Sequence, residues 1–199
     1  MSSLDHFEAP LDVDMEKQRA ELAAIIRHNT AEDGTYATAV GSLFMSRHSK
    51  SHEFAPVLAQ PALCIMAQGR KEVRLADEYF NYDPLNYLVV SVSMPLSGRV
   101  VNVTSEEPIL AVRLDIDPAE ITALIADAGP LSVPTRPTGR GLYVERIDTA
   151  MLDAVLRLAR LLDAPKDIAM LAPLIRREIL YRLLRSQQGH RLYEIAIAN

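Results

Sequence analysis

PALCIMAQGRKEV, residues 61–73, and LAPLIRREILYRLL, residues 171–184, are the two stretches whose reading decides the fold. In the first, two apolar runs flank Gln68-Gly69, which predicts a β-hairpin. In the second, Ala172, Ile175, Ile179 and Leu183 recur at helical spacing, with Leu180 and Leu184 beside them. That predicts a long amphipathic helix with a wide apolar stripe.

Working outward from the hairpin, strands are expected near 36–40, 42–48, 62–68, 71–76, 78–82, 86–93, 98–103 and 109–115. Turn residues such as Gly41, Ala76-Asp77, Asp83-Pro84 and Glu107-Pro108 separate them. No helix lies between these strands, so pairing should be antiparallel, because parallel pairs need long crossovers. A sheet of this size avoids exposed edges by curling into a barrel or sandwich. Asp117-Pro118-Ala119-Glu120 then starts a helix, which Gly129-Pro130 ends.

Helices bracket the strands. An N-terminal helix over 14–29 takes Asp14 as its cap and closes at His28-Asn29, where Asn tolerates the left-handed conformation. PLSVPTRPTGRGL, 130–142, reads as a connector. A helix over 149–163 follows Asp148 or Thr149. The last runs over 168–187, capped by Asp167, restarting at Pro173 and ending at Gly189. The expected class is mainly β with α: a cupin-like antiparallel β-barrel or jelly roll, an N-terminal helix and a C-terminal helical pair. The division is an arm at 1–30, a barrel with a capping helix at 31–130, and a linker with a helical dimerisation region at 131–199. The apolar stripe Leu152, Val155, Leu156, Leu162, Ile175, Ile179 and Leu183 could pack on the barrel or pair two subunits; either needs an apolar face.

The chain has 199 residues, 49% of them hydrophobic, which is enough for a real core. No apolar run approaches the roughly 18 residues of a membrane span, so no membrane contact is expected. The N-terminus is acidic and lacks a signal-peptide layout, which points to the cytoplasm. Cys64 is the single cysteine, excluding an internal disulfide or a multi-cysteine zinc site. Net charge is −5, divided as −9 over residues 1–129 and +4 over 130–199. A mildly basic C-terminal part is too weak for direct DNA binding.

His48, His52 and Glu53 are the nearest approach to a metal cluster, but the spacing lacks the His-x-His pattern of metal-binding cupins. No phosphate loop, no GxSxG elbow and no nucleophilic triad is present. No catalytic residue and no cofactor is therefore assigned. Arg113 interrupts the apolar strand LAVRLD. It either faces outward in normal alternation, opposite Leu110, Val112 and Leu114, or meets a ligand carboxylate. Met45, His48, Cys64, Met66, Tyr87 and Arg113 are the pocket candidates; soft methionine linings suit adaptable pockets as well as ordinary cores.

PALCIMAQGRKEVRL, EYFNYDPLNYLVVSVSMPLSGRV, EEPILAVRLDIDPAEI and RLARLLDAPKDIAMLAPLIRREILYRLL occur in this order over residues 30–195. Together they resemble the N-terminal regulatory domain of the AraC-type transcription regulators. The resemblance implies a bacterial, cytoplasmic regulator module, not an enzyme. It implies a cupin-like barrel holding an unknown small effector, and helices that support a homodimer. It also implies DNA contact through a domain of two helix-turn-helix units; no such unit precedes the end at RLYEIAIAN, so DNA binding is expected only through a domain absent from this chain. The competing expectations are a small metal-dependent cupin-type enzyme and a ligand-free interaction module.

Overall fold

The computed structural model describes residues 13–128 and 141–193. Helix α1 (Val13–Asn29) precedes strands β1 (Gly34–Ala37), β2 (Leu43–His48), β3 (His52–Ala59), β4 (Ala62–Gln68), β5 (Lys71–Leu75), β6 (Glu78–Tyr82), β7 (Asn86–Val90), β8 (Met94–Val100) and β9 (Ile109–Asp115). Helix α2 (Pro118–Ala128), strand β10 (Leu142–Arg146) and helices α3 (Thr149–Arg160) and α4 (Ile168–Arg185) follow. Two short 3-10 turns, Leu161–Asp163 and Pro165–Asp167, join α3 to α4.

The strands form two antiparallel sheets, ordered β1-β2-β9-β4-β7-β10 and β3-β8-β5-β6. The inner eight, β2-β9-β4-β7 facing β3-β8-β5-β6, have the strand order of a jelly roll, the architecture of cupins. Among the described residues the two sheets share no ladder, so the expected barrel or jelly roll takes the form of an open sandwich, not a closed barrel.

The six-stranded sheet is buried on both faces. Along β4, β7 and β9, Leu63, Ile65, Val89, Leu110 and Val112 face a helical layer of Leu22, Ile26, Leu152, Val155, Leu156 and Ile179. Met66, Leu88, Val90 and Ala111 alternate with them and face Val73, Tyr82 and Val100 of the other sheet. This two-sided burial explains why NYLVV and ILAVRL read as continuous apolar runs instead of alternating ones. Each large side chain so buried contributes about 1.5–3 kcal/mol. The outer face of the four-stranded sheet is polar and solvated, with Arg74 and Arg99 5.0 and 4.8 Å from the Phe54 ring centre.

Several expectations need correction. The stretch 61–73 is not a hairpin. β4 pairs with β7 and β9, whereas β5 pairs with β6 and β8, so the chain turns a corner from one sheet to the other at Gly69. Gly69 has φ +83°, and a Cβ there would lie 2.9 Å from Ile109 Cγ1. β3 was not expected, because Pro56 demotes a strand; it sits at a sheet edge, where proline is tolerated. β8 starts at Met94 instead of 98, and β10 fills the stretch between the expected connector and the helix from 149, where no strand was expected. Asp148 does cap α3, accepting from the Met151 amide at 2.7 Å, but Asp167 makes no side-chain cap. Asp14 lies inside α1, and Asn29 is not left-handed; its amide donates to the Ile25 carbonyl at 2.9 Å. α4 runs through Pro173 unbroken and stops at Arg185, before Gly189. Most of the 130–142 connector lies outside the described residues.

Candidate functional site

A cavity of about 190 Å³ lies between the two sheets. Its walls are Ala62, Cys64, Leu88, Val90 and Arg113 from the six-stranded sheet, and Val57–Ala59, Lys71, Val73, Tyr82 and Leu96 from the four-stranded one, with Gln60 between. Strand alternation places them. Lys71 shares parity with Val73 and Leu75, and Arg113 with Ala111, so both cations sit on inward-facing positions.

The polar groups of this cavity are unevenly satisfied. Arg113 Nε donates to Asp115 at 2.8 Å, and its guanidinium lies 4.2 Å from the Phe44 ring centre. Its terminal nitrogens donate to nothing among the described residues. Lys71 has neither an ion-pair nor a hydrogen-bond partner among them, and neither does the hydroxyl of Tyr82, a residue only 4% exposed. Burial holds the Tyr82 hydroxyl well above its ordinary pKa. Burial also pushes the Cys64 thiol up to about 11, against the opposing pull of Lys71 and Arg113, so the thiol is mostly protonated at neutral pH and reacts slowly. His48 shares the inner face of β2 with Phe44 and Ser46. Burial first and Lys71 second lower its pKa, with Asp33 pulling the other way and His52 adding to the depression. What the cavity can do chemically is hold an apolar body and hydrogen-bond an anionic group; no nucleophile or base is poised in it.

A larger groove of about 420 Å³ lies on the opposite face of the six-stranded sheet, between β10, α3 and the end of α4. Its carboxylates are already engaged. Glu145 accepts from the Gln187 amide at 3.0 Å, Glu178 pairs with Arg157 and Arg182 at 2.7 Å each, and Asp148 caps α3. The smaller cavity, enclosed between the two sheets and largely apolar in its walls, is the candidate ligand site.

The sequence-derived candidates divide between these places. Cys64 and Arg113 line the inter-sheet cavity. Met66 packs in the same inner core without lining the cavity, and His48 is not among the lining residues, although it lies near enough to Lys71 to feel its charge. Met45 and Tyr87 have the opposite parity and face the helical layer, Tyr87 lining the larger groove. Lys71 and Tyr82 were missed; a lysine in phase with Val73 and Leu75 was the readable signal. The His48 and His52 rings meet edge to face at 6.5 Å, and His52 Nδ1 lies 2.8 Å from the Glu53 carbonyl oxygen. Among the described residues no three His, Cys, Asp or Glu side chains gather as metal ligands. The proposed pairing stripe also needs correction. Leu152, Val155, Leu156, Ile179 and Leu183 are sealed within the subunit's own core, with Leu162 and Ile175 packed against it. The exposed apolar side chains of α4 are Met170, Leu171, Leu174 and Tyr181.

Comparison with protein families finds that the model of the AraC-type transcriptional regulator N-terminus matches residues 39–191. The chain belongs to this family. The match takes in β2 to β10 and α2 to α4 of the AraC-type domain described above. The family is one of N-terminal domains of transcriptional regulators. A comparison with curated proteins gives no match. Among solved structures, a ligand-free point variant of ToxT from Vibrio cholerae strain SCE256 aligns with TM-score 0.49 and 7% identity, over 75% of this chain and 58% of that one. Wild-type ToxT with bound unsaturated fatty acid aligns with TM-score 0.43 and 9% identity, over 72% and 53%. This AraC-type chain thus spans little more than half the length of either. Among the described residues no helix is long and apolar enough to cross a membrane.

Proposed function

We propose that this chain is the ligand-sensing and dimerisation module of a DNA-binding regulator that controls transcription in response to a small effector. The observation that carries the reading is the inter-sheet cavity, apolar in its walls yet holding Lys71 and Tyr82 without partners. A largely apolar pocket that presents a few convergent polar groups is the usual form of a small-molecule site. The effector would bias the packing of the helical layer, because β4, β7 and β9 touch the cavity on one face and the helices on the other.

Dimerisation is assigned to the solvent face of α4, with a second copy as its occupant. Along that face run Asp167, Met170, Leu171, Leu174, Tyr181 and Arg185. Asp167 and Arg185 have no ion pair among the described residues and lie at opposite ends of the helix. An antiparallel copy related by a twofold axis near residue 176 would place each Asp167 against the partner's Arg185. It would also place Met170 and Leu171 against the partner's Tyr181. Such a face is self-complementary, as a twofold interface requires. DNA would be reached through another domain, in the cytoplasm.

The test is a fusion of this chain to a DNA-reading domain that occupies its operator only as a dimer. Repression of a reporter supports the module reading. An abundant, folded fusion that fails to repress contradicts it.

A further inference from the structure

We propose that the inter-sheet cavity takes a small organic monocarboxylate: an apolar body of roughly ten non-hydrogen atoms or fewer, with its carboxylate held by Lys71, Arg113 and Tyr82. This rests on the reading of that cavity as the effector site. Size sets the first limit. At about 190 Å³ the cavity lies below the roughly 300–1,000 Å³ that accepts drug-sized ligands, so a long acyl chain does not fit inside. Charge sets the second. Lys71 and Arg113 bring two positive charges and Asp115 removes one, leaving a site matched to a monoanion and under-neutralised for a dianion.

Geometry supplies the third argument. The ammonium of Lys71 lies over the bare Cα of Gly98; a Cβ there would be 3.1 Å from Lys71 Cε and 3.7 Å from Nζ. Stacking on Phe44 and the Nε bond to Asp115 fix the Arg113 guanidinium, while its terminal nitrogens stay free to form a two-pronged grip on a carboxylate. The Tyr82 hydroxyl adds a neutral donor from the opposite sheet. A sugar would find few acceptors here, since the remaining walls are almost wholly apolar.

The experiment uses the whole chain and two readouts: calorimetric titration, and the alkylation rate of Cys64, which is the only cysteine and lines the cavity. The probes are octanoate, benzoate, the neutral octanamide, and palmitate. Octanoate or benzoate is expected to bind and to slow alkylation, octanamide to bind roughly 10- to 100-fold more weakly, and palmitate to give no protection; that ratio is the loss of one charged hydrogen bond. Lys71→Met should bring octanoate down to the octanamide level. Arg113→Gln, near the cavity rim, should weaken it in the same direction. Equal binding of octanoate and octanamide, or an unaffected Lys71→Met, overturns the carboxylate assignment while leaving the cavity as an effector site. Failure of every probe, with Cys64 unprotected throughout, overturns the effector site itself.

Discussion

Leu174→Glu should separate subunits without unfolding them. Leu174 is 63% exposed, so it presents about 110 Å² of apolar surface, worth about 3 kcal/mol if a partner covers it, at ~25 cal/mol per Å². A twofold axis counts it twice, for about 6 kcal/mol. Incomplete burial and side-chain ordering remove roughly half, which leaves about a 100-fold rise in the dimer dissociation constant. Monomer stability should move by no more than about 0.5 kcal/mol, as for an ordinary surface substitution. Leu152→Ala is the contrasting variant. Leu152 is fully buried in the subunit core, so its truncation should cost about 2–5 kcal/mol of stability and leave the association constant of the folded protein unchanged. Sedimentation velocity and denaturant unfolding measure the two quantities. A Leu174→Glu protein that associates like the parent refutes the α4 assignment, and one that loses stability like Leu152→Ala shows that the chain itself covers the site.

Three further outcomes follow from the packing. Arg176, buried at 9% exposure, ties α4 to Glu120 of α2, whose own side chain is 38% exposed; Glu120→Ala, which strands a buried cation, should cost about 2–4 kcal/mol, and Arg176→Met, which frees a carboxylate that water can solvate, only about 1 kcal/mol, both read by urea unfolding. Arg157 first and Arg182 second hold the Glu178 carboxyl below its ordinary pKa. Its stabilising effect is therefore complete above about pH 4.5 and lost as pH falls through the lower folded value, so the acid limb of a melting-temperature profile should flatten in Glu178→Gln. Gly69→Ala, strained at φ +83° and pressed against Ile109, should lower stability by more than about 1 kcal/mol at the sheet corner, as seen in thermal melts.

The helices were legible because local signals specify them. Asp117-Pro118-Ala119-Glu120 begins α2, with Asp117 accepting from the Ala119 amide at 2.8 Å, and the stripe of α3 reports its buried face. The sheets were legible in composition but not in partnership. Gln68-Gly69 is the same signal whether the next strand returns beside β4 or crosses to the other sheet, since partner choice depends on contacts distant in sequence. β3 was hidden by Pro56 and by an edge position that leaves most of its residues exposed. For the pocket, Cys64 and Arg113 could be named, yet parity alone does not say which of two buried faces looks into the cavity. Met45 and Tyr87 therefore read as lining residues although they face helices. Likewise, buried and pairing stripes look alike in sequence; only exposure separates Leu152 from Leu174.

The central claim is that one sheet couples a ligand on its inner face to subunit pairing on its outer side. The most direct test is the dimer dissociation constant measured with the cavity empty and with octanoate bound, using Cys64 protection to show occupancy. The account predicts a shift of roughly 5- to 150-fold, the usual size of coupling between two sites. An unchanged constant at full Cys64 protection would contradict it.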